Sequence, residues 1–454
     1  MITTDCAFLE NEIADILRLF KTRPETVKHS FRFDGGVFYN AFEVDGDTFA
    51  FEDKGQVCDE LLLKRLERRF AKLRLYEILS EKYGEKMPWG ALTGIRPTKL
   101  AYTELEGGND FTDLFEKMHV SQENIRLVRD ILQTQEGIYE KRDGNTDLFV
   151  SIPFCPTKCA YCSFITAPID KTCSFLPAYL ACLEKELAAA TDSVKTLRSI
   201  YIGGGTPFAL DTPDLQQVLQ AVAPFADSVE YTVEAGRPDV FTEEKLSLLK
   251  EYGVTRICIN PQTFSDVTLQ KIGRKHTVAD FYRAYAIAEK YGFSVNIDLI
   301  AGLTEETVET FEEGVEKAAA LQANNITVHC LSLKSGAKLK EEISYIENGF
   351  VSDMVASSRK ILSEAGYLPY YMYRQKYQAG NNENVGWTKA GKACIYNIDV
   401  MEETADNLAV GANAISKRVW TAQGRIERLG SPKDLKTYID NIDTIIEKKR
   451  KFFE

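Results

Sequence analysis

Residues 148–164 read LFVSIPFCPTKCAYCSF, an apolar run that breaks at Pro153 and then delivers Cys155, Cys159 and Cys162 within a few residues of one another. From Leu148 to Cys330 this arrangement repeats: short apolar runs alternate with longer segments of helical period, the signal for βα units on a parallel sheet. Strands are expected near 148–152, 199–202, 230–234, 256–260, 294–300 and 325–330. Between them, PAYLACLEKELAAA, TPDLQQVLQAVAPF, TEEKLSLLKEYG, VADFYRAYAIAEKYG and TEETVETFEEGVEKAAALQA are each long enough for a right-handed crossover. The fold class is therefore α/β, with a partial (βα)6 TIM-like barrel, or an open sheet of the same units, as the core. In barrels the chemistry collects at the C-terminal strand ends. Here the cysteines follow the first strand, GGGTP the second, Glu234 ends the third, and Asn260 to Gln262 follow the fourth.

The 454 residues call for two or three domains. The expected division is an α+β N-terminal region over 1–146, the barrel over 147–335, and an α+β C-terminal region over 336–454, with KRDGNTD as the first linker. A composition of 44% hydrophobic and 27% charged residues is that of a globular protein, with no run suited to a membrane span. The start, MITTDCAFLENEIADILRLFK, lacks the features of a secretion signal and reads as an amphipathic helix, so a cytoplasmic location is expected. A net charge of −12 argues against a nucleic-acid surface.

Ten cysteines are present, and only three form a tight pattern, C-x3-C-x2-C. Three thiolates on one loop can hold three irons of a [4Fe–4S] cluster and leave the fourth open for chemistry. A structural zinc wants four ligands, and neither a histidine nor a second cysteine pair stands at the right spacing. Cys173 and Cys182 read as small apolar residues. The glycines Gly203, Gly204 and Gly205 allow positive φ and close approach of backbone to a ligand. Glu234, Gln262 and Asp298 are polar groups able to meet ribose hydroxyls, and Arg274 matches a carboxylate in bidentate fashion.

The cysteine loop resembles the signature of the radical S-adenosylmethionine superfamily. That resemblance implies an open iron chelating the amino and carboxylate groups of S-adenosylmethionine, reductive cleavage of the sulfonium, and a 5′-deoxyadenosyl radical that abstracts hydrogen. It places Tyr161 near the adenine, and Gly203, Gly204, Gly205 and Thr206 in the motif that meets the methionine amino group. Glu234, Gln262, Arg274 and Asp298 together resemble the oxygen-independent coproporphyrinogen III oxidases and their haem-chaperone relatives, in which the matching residues contact one or two S-adenosylmethionine molecules. MPWGALTGIRPTKLAY at 87–102 and YYMYRQKYQAGNNENVGW at 370–387 look like the Gram-positive branch of that family, which carries an extra N-terminal region. Three positions depart from the well-studied oxidases: Phe149 and Ser151 stand where those carry Tyr and His, and Phe164 replaces a further cysteine, as also occurs in the haem chaperones. Phe149 and Phe164 are kept as cofactor contacts on this resemblance.

In PYYMYRQKYQAGN, Tyr373, Arg374 and Lys376 combine aromatic surface with cations, which suits a macrocycle bearing carboxylates. The same run also reads as an amphipathic strand with a solvated charged edge, and RPTKL at 96–100 as a surface turn. His276 and His329 could serve as proton donors, though a lone histidine in such a place is more often structural. The resemblance implies a tetrapyrrole substrate, an electron donor such as flavodoxin or ferredoxin, and oxidative decarboxylation of coproporphyrinogen III to protoporphyrinogen IX in haem biosynthesis. A haem-binding chaperone or another radical tetrapyrrole enzyme is the alternative, and the sequence leaves the oligomeric state open.

Overall fold

The computed structural model describes residues 1–94, 96–164, 167–225, 230–332, 337–339, 348–375 and 381–454. Two compact units result: Met1–Arg129 with Gly380–Asn382, and Asp130–Ala379 with Glu383–Glu454.

In the first unit, β1 (Ile2–Thr4), β2 (Val27–Asp34), β3 (Val37–Val44) and β4 (Asp47–Lys54) form a sheet in that order. Both hairpins turn on two residues at positive φ, Gly35 with Gly36 and Asp45 with Gly46, the geometry that matches strand twist. The helix expected over residues 1–21 is confined to Glu10–Leu17. Ile2 to Thr4, with two β-branched threonines, instead pair in parallel with β2. A helix over Glu60–Tyr83 is capped by Asp59 and ends at Gly84 with φ of 68°. RPTKL is not a surface turn: Pro97 opens the helix Pro97–Glu106, where a missing N–H costs nothing.

The second unit contains β5 (Asn145–Ile152), the two-residue β6 (Phe154–Cys155) and β7 (Ala167–Pro168), β8 (Thr196–Gly204), β9 (Glu230–Gly236), β10 (Arg256–Ile259), β11 (Ser294–Ala301) and β12 (Asn325–Cys330). All six expected strands form, and β5-β8-β9-β10-β11-β12 is an unbroken parallel run. Apart from β8, whose two ends are exposed, these strands are buried along nearly their whole length, so they read as largely apolar runs rather than alternations. The helices Thr212–Val222, Glu243–Glu251, Val278–Lys290 and Val308–Ala320 each begin on an Asp or Thr side chain that accepts the N3 amide.

Residues beyond 336 extend this sheet at both edges. β13 (Leu368–Tyr373) and β14 (Asn384–Thr388) add antiparallel strands beyond β12, while β15 (Asp406–Val410) lies parallel to β5 and carries β16 (Ile415–Trp420) and β17 (Arg425–Gly430). Among the described residues, the sheet has eleven strands in the order β13-β14-β12-β11-β10-β9-β8-β5-β15-β16-β17. Among the described residues, no helix is long and apolar enough to cross a membrane.

Candidate active site

β5 ends at Ile152, and Pro153 turns the chain into the cysteine loop. The glycine turn after β8 clamps that loop: Gly205 N donates to Ile152 O and Thr206 N to Phe154 O, both at 2.7 Å. A Cβ on Gly205 would stand 2.5 Å from Phe154 O, so only glycine fits. Gly204 has φ of 101°. On the other side, Ala160 N donates to Ile272 O at 2.9 Å.

At the C-terminal strand ends lies a cavity of about 330 Å³. Cys155, Cys159 and Cys162 line it, together with Tyr161, Phe164, Gly204, Gly205, Thr206, Glu234, Gln262, Arg274, Asp298 and Tyr373. The structure thus gathers around one cavity residues drawn from β5, β8, β9, β10, β11 and β13 or the turns that follow them. Phe164 is 66% exposed, at the lip. Gly203 lies beneath, where a Cβ would press on the Glu234 carboxyl at 2.7 Å. Phe149 is outside the lining, its ring 6.2 Å from both Tyr201 and Tyr396. Arg374 is also outside it, buried beside Glu383, which favours its charge against a burial that pulls the guanidinium down to about 9. Lys376 and Tyr377 lie outside the described residues. Tyr370 and Tyr371 belong to the core with Cys394 and Ile398. Cys173, read as a small apolar residue, is exposed: it starts a single short turn, Cys173–Phe175, none of whose residues is buried.

The polar groups are pre-arranged. Tyr201 Oη donates to Glu234 Oε1 at 2.6 Å and Gly204 N to Oε2 at 3.3 Å, yet burial still pushes the Glu234 carboxyl up to about 7. Asp298 accepts from Asn296 Nδ2 at 2.8 Å and lies 3.7 Å from His329 Nε2. Burial raises the Asp298 carboxyl, but these partners outweigh it and hold the group below its ordinary value. Arg274 donates to Asn260 O and, at 3.1 Å, to Tyr161 Oη, which leaves its buried Nε without a partner. Burial pushes the Cys155 thiol up to about 11.

The wall also holds polar residues that the sequence reading did not assign as contacts, among them Arg237, His329 and Asn260, the last noted only for its place after a strand. His329, taken as structural, places Nδ1 3.0 Å from Tyr373 Oη, a partner 44 residues along the chain. His276 is fully buried away from the cavity.

No three His, Cys, Asp or Glu side chains among the described residues converge on a single-ion position. Three thiols around one cavity, each able to take a different iron, instead fit a [4Fe–4S] cluster, and the orphaned Arg274 Nε suits an added anionic ligand.

The sequence matches the radical SAM superfamily over residues 149–318. It is 34% identical over 397 residues to the oxygen-independent coproporphyrinogen-III oxidase-like protein HemZ of Bacillus subtilis (strain 168), covering 83% of this chain and 79% of that protein. The heme chaperone HemW of the same organism is 35% identical over 195 residues, covering 40% of this chain and 49% of HemW. Among solved structures, coproporphyrinogen III oxidase (HemN) from Escherichia coli, a radical SAM enzyme, superposes with a TM-score of 0.54 at 20% identity, covering 68% of this chain and 71% of that one, and so shares its fold. Cysteine loop, parallel sheet and sequence agree: the chain belongs to the radical S-adenosylmethionine superfamily, among the oxygen-independent coproporphyrinogen III oxidase-like proteins, a family that implies a [4Fe–4S] cluster and S-adenosylmethionine.

Proposed function

We propose that this protein catalyses the oxygen-independent oxidative decarboxylation of two propionates of coproporphyrinogen III to vinyl groups, giving protoporphyrinogen IX. The observation that carries the reading is one cavity in which three thiols meet Glu234, Gln262, Arg274 and Asp298. Similarity to HemZ over most of the chain supports the choice of substrate.

Cys155, Cys159 and Cys162 would hold the cluster, which together with S-adenosylmethionine supplies a hydrogen-abstracting radical when an external reductant such as reduced flavodoxin or ferredoxin delivers an electron. Arg274 has a free donor for a cofactor carboxylate, and Glu234 offers an acceptor for an ammonium or hydroxyl. Asp298, fixed by Asn296, presents a second acceptor. Tyr373 faces the cavity as the aromatic contact for the macrocycle. Loss of a β-hydrogen atom and carbon dioxide leaves one electron, which passes to an external one-electron acceptor. In this reading residues 336–454 help enclose the substrate and residues 1–146 form an accessory region.

The second reading is a haem chaperone. HemW relatives favour it, as does His329, an imidazole in the cavity wall able to meet an iron. Anaerobic incubation of cluster-loaded protein with coproporphyrinogen III, S-adenosylmethionine and reductant separates the two. The oxidase reading requires carbon dioxide, the mono-vinyl intermediate and protoporphyrinogen IX, with about two cofactors cleaved per product if each abstraction consumes one. Tight haem binding with no carbon dioxide released would replace it with the chaperone.

A further inference from the structure

Arg237 follows β9 by one residue and is 2% exposed. Its Nε and one Nη donate to the two Asp239 oxygens at 2.9 and 2.6 Å, fork to fork. The other Nη donates to Thr157 Oγ1 at 2.5 Å and to Thr157 O at 3.4 Å. Thr157 stands midway between Cys155 and Cys159, so this guanidinium grips the cysteine loop at its centre. Arg237 lines the cavity with the three cysteines, whereas Asp239 does not. The pair is therefore a dipole with its positive end on the cysteine side. His276, 3.9 Å from Asp239, is pushed down to about 4 by burial and adds no competing charge near neutral pH.

A neutral donor would satisfy Thr157 equally well. A buried charge does more, because its field is weakly screened. Cluster potentials respond to nearby charge, hydrogen bonding and exposure. We propose that Arg237 is a positioning residue that also raises the reduction potential of the cluster held by Cys155, Cys159 and Cys162, and that Asp239 opposes it. The inference rests on those cysteines holding the cluster; reduction adds negative charge there, and a neighbouring cation stabilises the reduced form.

The test is a redox titration of the full, cluster-loaded chain followed by electron paramagnetic resonance. Arg237→Gln should move the midpoint to a more negative potential and Asp239→Asn to a more positive one. Arg237→Lys keeps the charge but not the double grip on Thr157; its midpoint should stay near that of the unaltered protein while KM for S-adenosylmethionine rises. Shifts of the same sign in Arg237→Gln and Asp239→Asn, no shift in either, or a lysine variant that follows the glutamine one would overturn the proposal. If Arg237→Gln holds no iron, the sign in Asp239→Asn decides. Iron and sulfide content in Cys159→Ala checks the cluster assignment separately, so failure of that reading is visible as iron retained there.

Discussion

Gln262 carries backbone strain at the site: φ is 70°, a left-handed conformation that costs a non-glycine residue roughly 1–3 kcal/mol. The surroundings enforce it, since Gln262 N donates to Asp298 O and Ile300 N donates to Gln262 O, both at 3.0 Å. Arg274, buried on the same wall, has one guanidinium nitrogen left for a ligand. Arg274→Ala should therefore weaken S-adenosylmethionine binding by roughly 1.5–3 kcal/mol, the range for hydrogen bonds to charged groups. Isothermal titration of the anaerobic, cluster-loaded protein checks this, and unchanged affinity would place Arg274 outside the cofactor contacts. Glu306 gives a pH prediction. Burial pushes its carboxyl from 4.5 up to about 7, although Thr263 donates to it. The native state then keeps this proton to higher pH than the unfolded chain does, so stability is lost as pH rises from about 4.5 to about 7. Glu306→Gln should remove that loss, worth roughly 3 kcal/mol across the window. Unfolding midpoints at about pH 5 and pH 8 should draw together in the variant, and an unchanged gap would contradict the assignment.

At the scale of elements, the site depends on two turns locked to each other. Gly205→Ala would drive a Cβ against Phe154 O, Ile152 O and Pro153, all of them backbone with no side chain to yield. The expected cost is about 1–3 kcal/mol, typical of overpacking, together with loss of cluster loading, because the turn sets the course of the cysteine loop. Iron content and thermal midpoint should both fall; a variant with full iron would show that the loop does not need the clamp. The same elements explain what the sequence disclosed. The central strands were legible because burial along most of their length concentrates apolar residues in them, and β12 was bounded at the same residues in sequence and structure. β13 to β17 escaped notice as members of the same sheet because their pairing joins distant segments, β15 to β5 and β14 to β12. Glu234 and Gln262 stood out as polar groups near or just beyond strand ends, and Asp298 as a carboxylate within an apolar strand. Arg237 did not, since its significance lies in Thr157, 80 residues earlier. The strand ending in Tyr373 was half legible: Tyr370 and Tyr371 fill the core, and Tyr373 alone of the three faces the cavity.

Across the second unit, the last helix, Ile442–Phe453, is linked through a buried polar relay to the end of β5, just ahead of the cysteine loop. Lys449 Nζ donates to Glu186 Oε1 and to Ala409 O in β15. Glu186 Oε2 accepts from Tyr438 Oη at 2.6 Å and from Gly411 N at 2.8 Å. Tyr179, on the helix of Glu186, donates to Ser151 O at 2.7 Å, and Ser151 Oγ donates to Ala412 O at 2.8 Å. The ion pair is almost fully buried, with side chains 7% and 1% exposed, so its attraction is set against a large desolvation cost. Net stabilisation by the intact pair is small on that account, whereas removing one partner strands the other charge. Lys449→Met should therefore cost about 3–5 kcal/mol. Adding Glu186→Gln makes the remaining partner neutral while keeping an acceptor for Gly411 N and Tyr438 Oη, and should recover more than half of the loss. The four proteins of this cycle, compared by chemical unfolding, give the coupling directly. A double variant no more stable than Lys449→Met would mean that the stranded carboxylate is not the source of the cost, and that packing of the terminal helix against Leu176–Ala190 carries it instead.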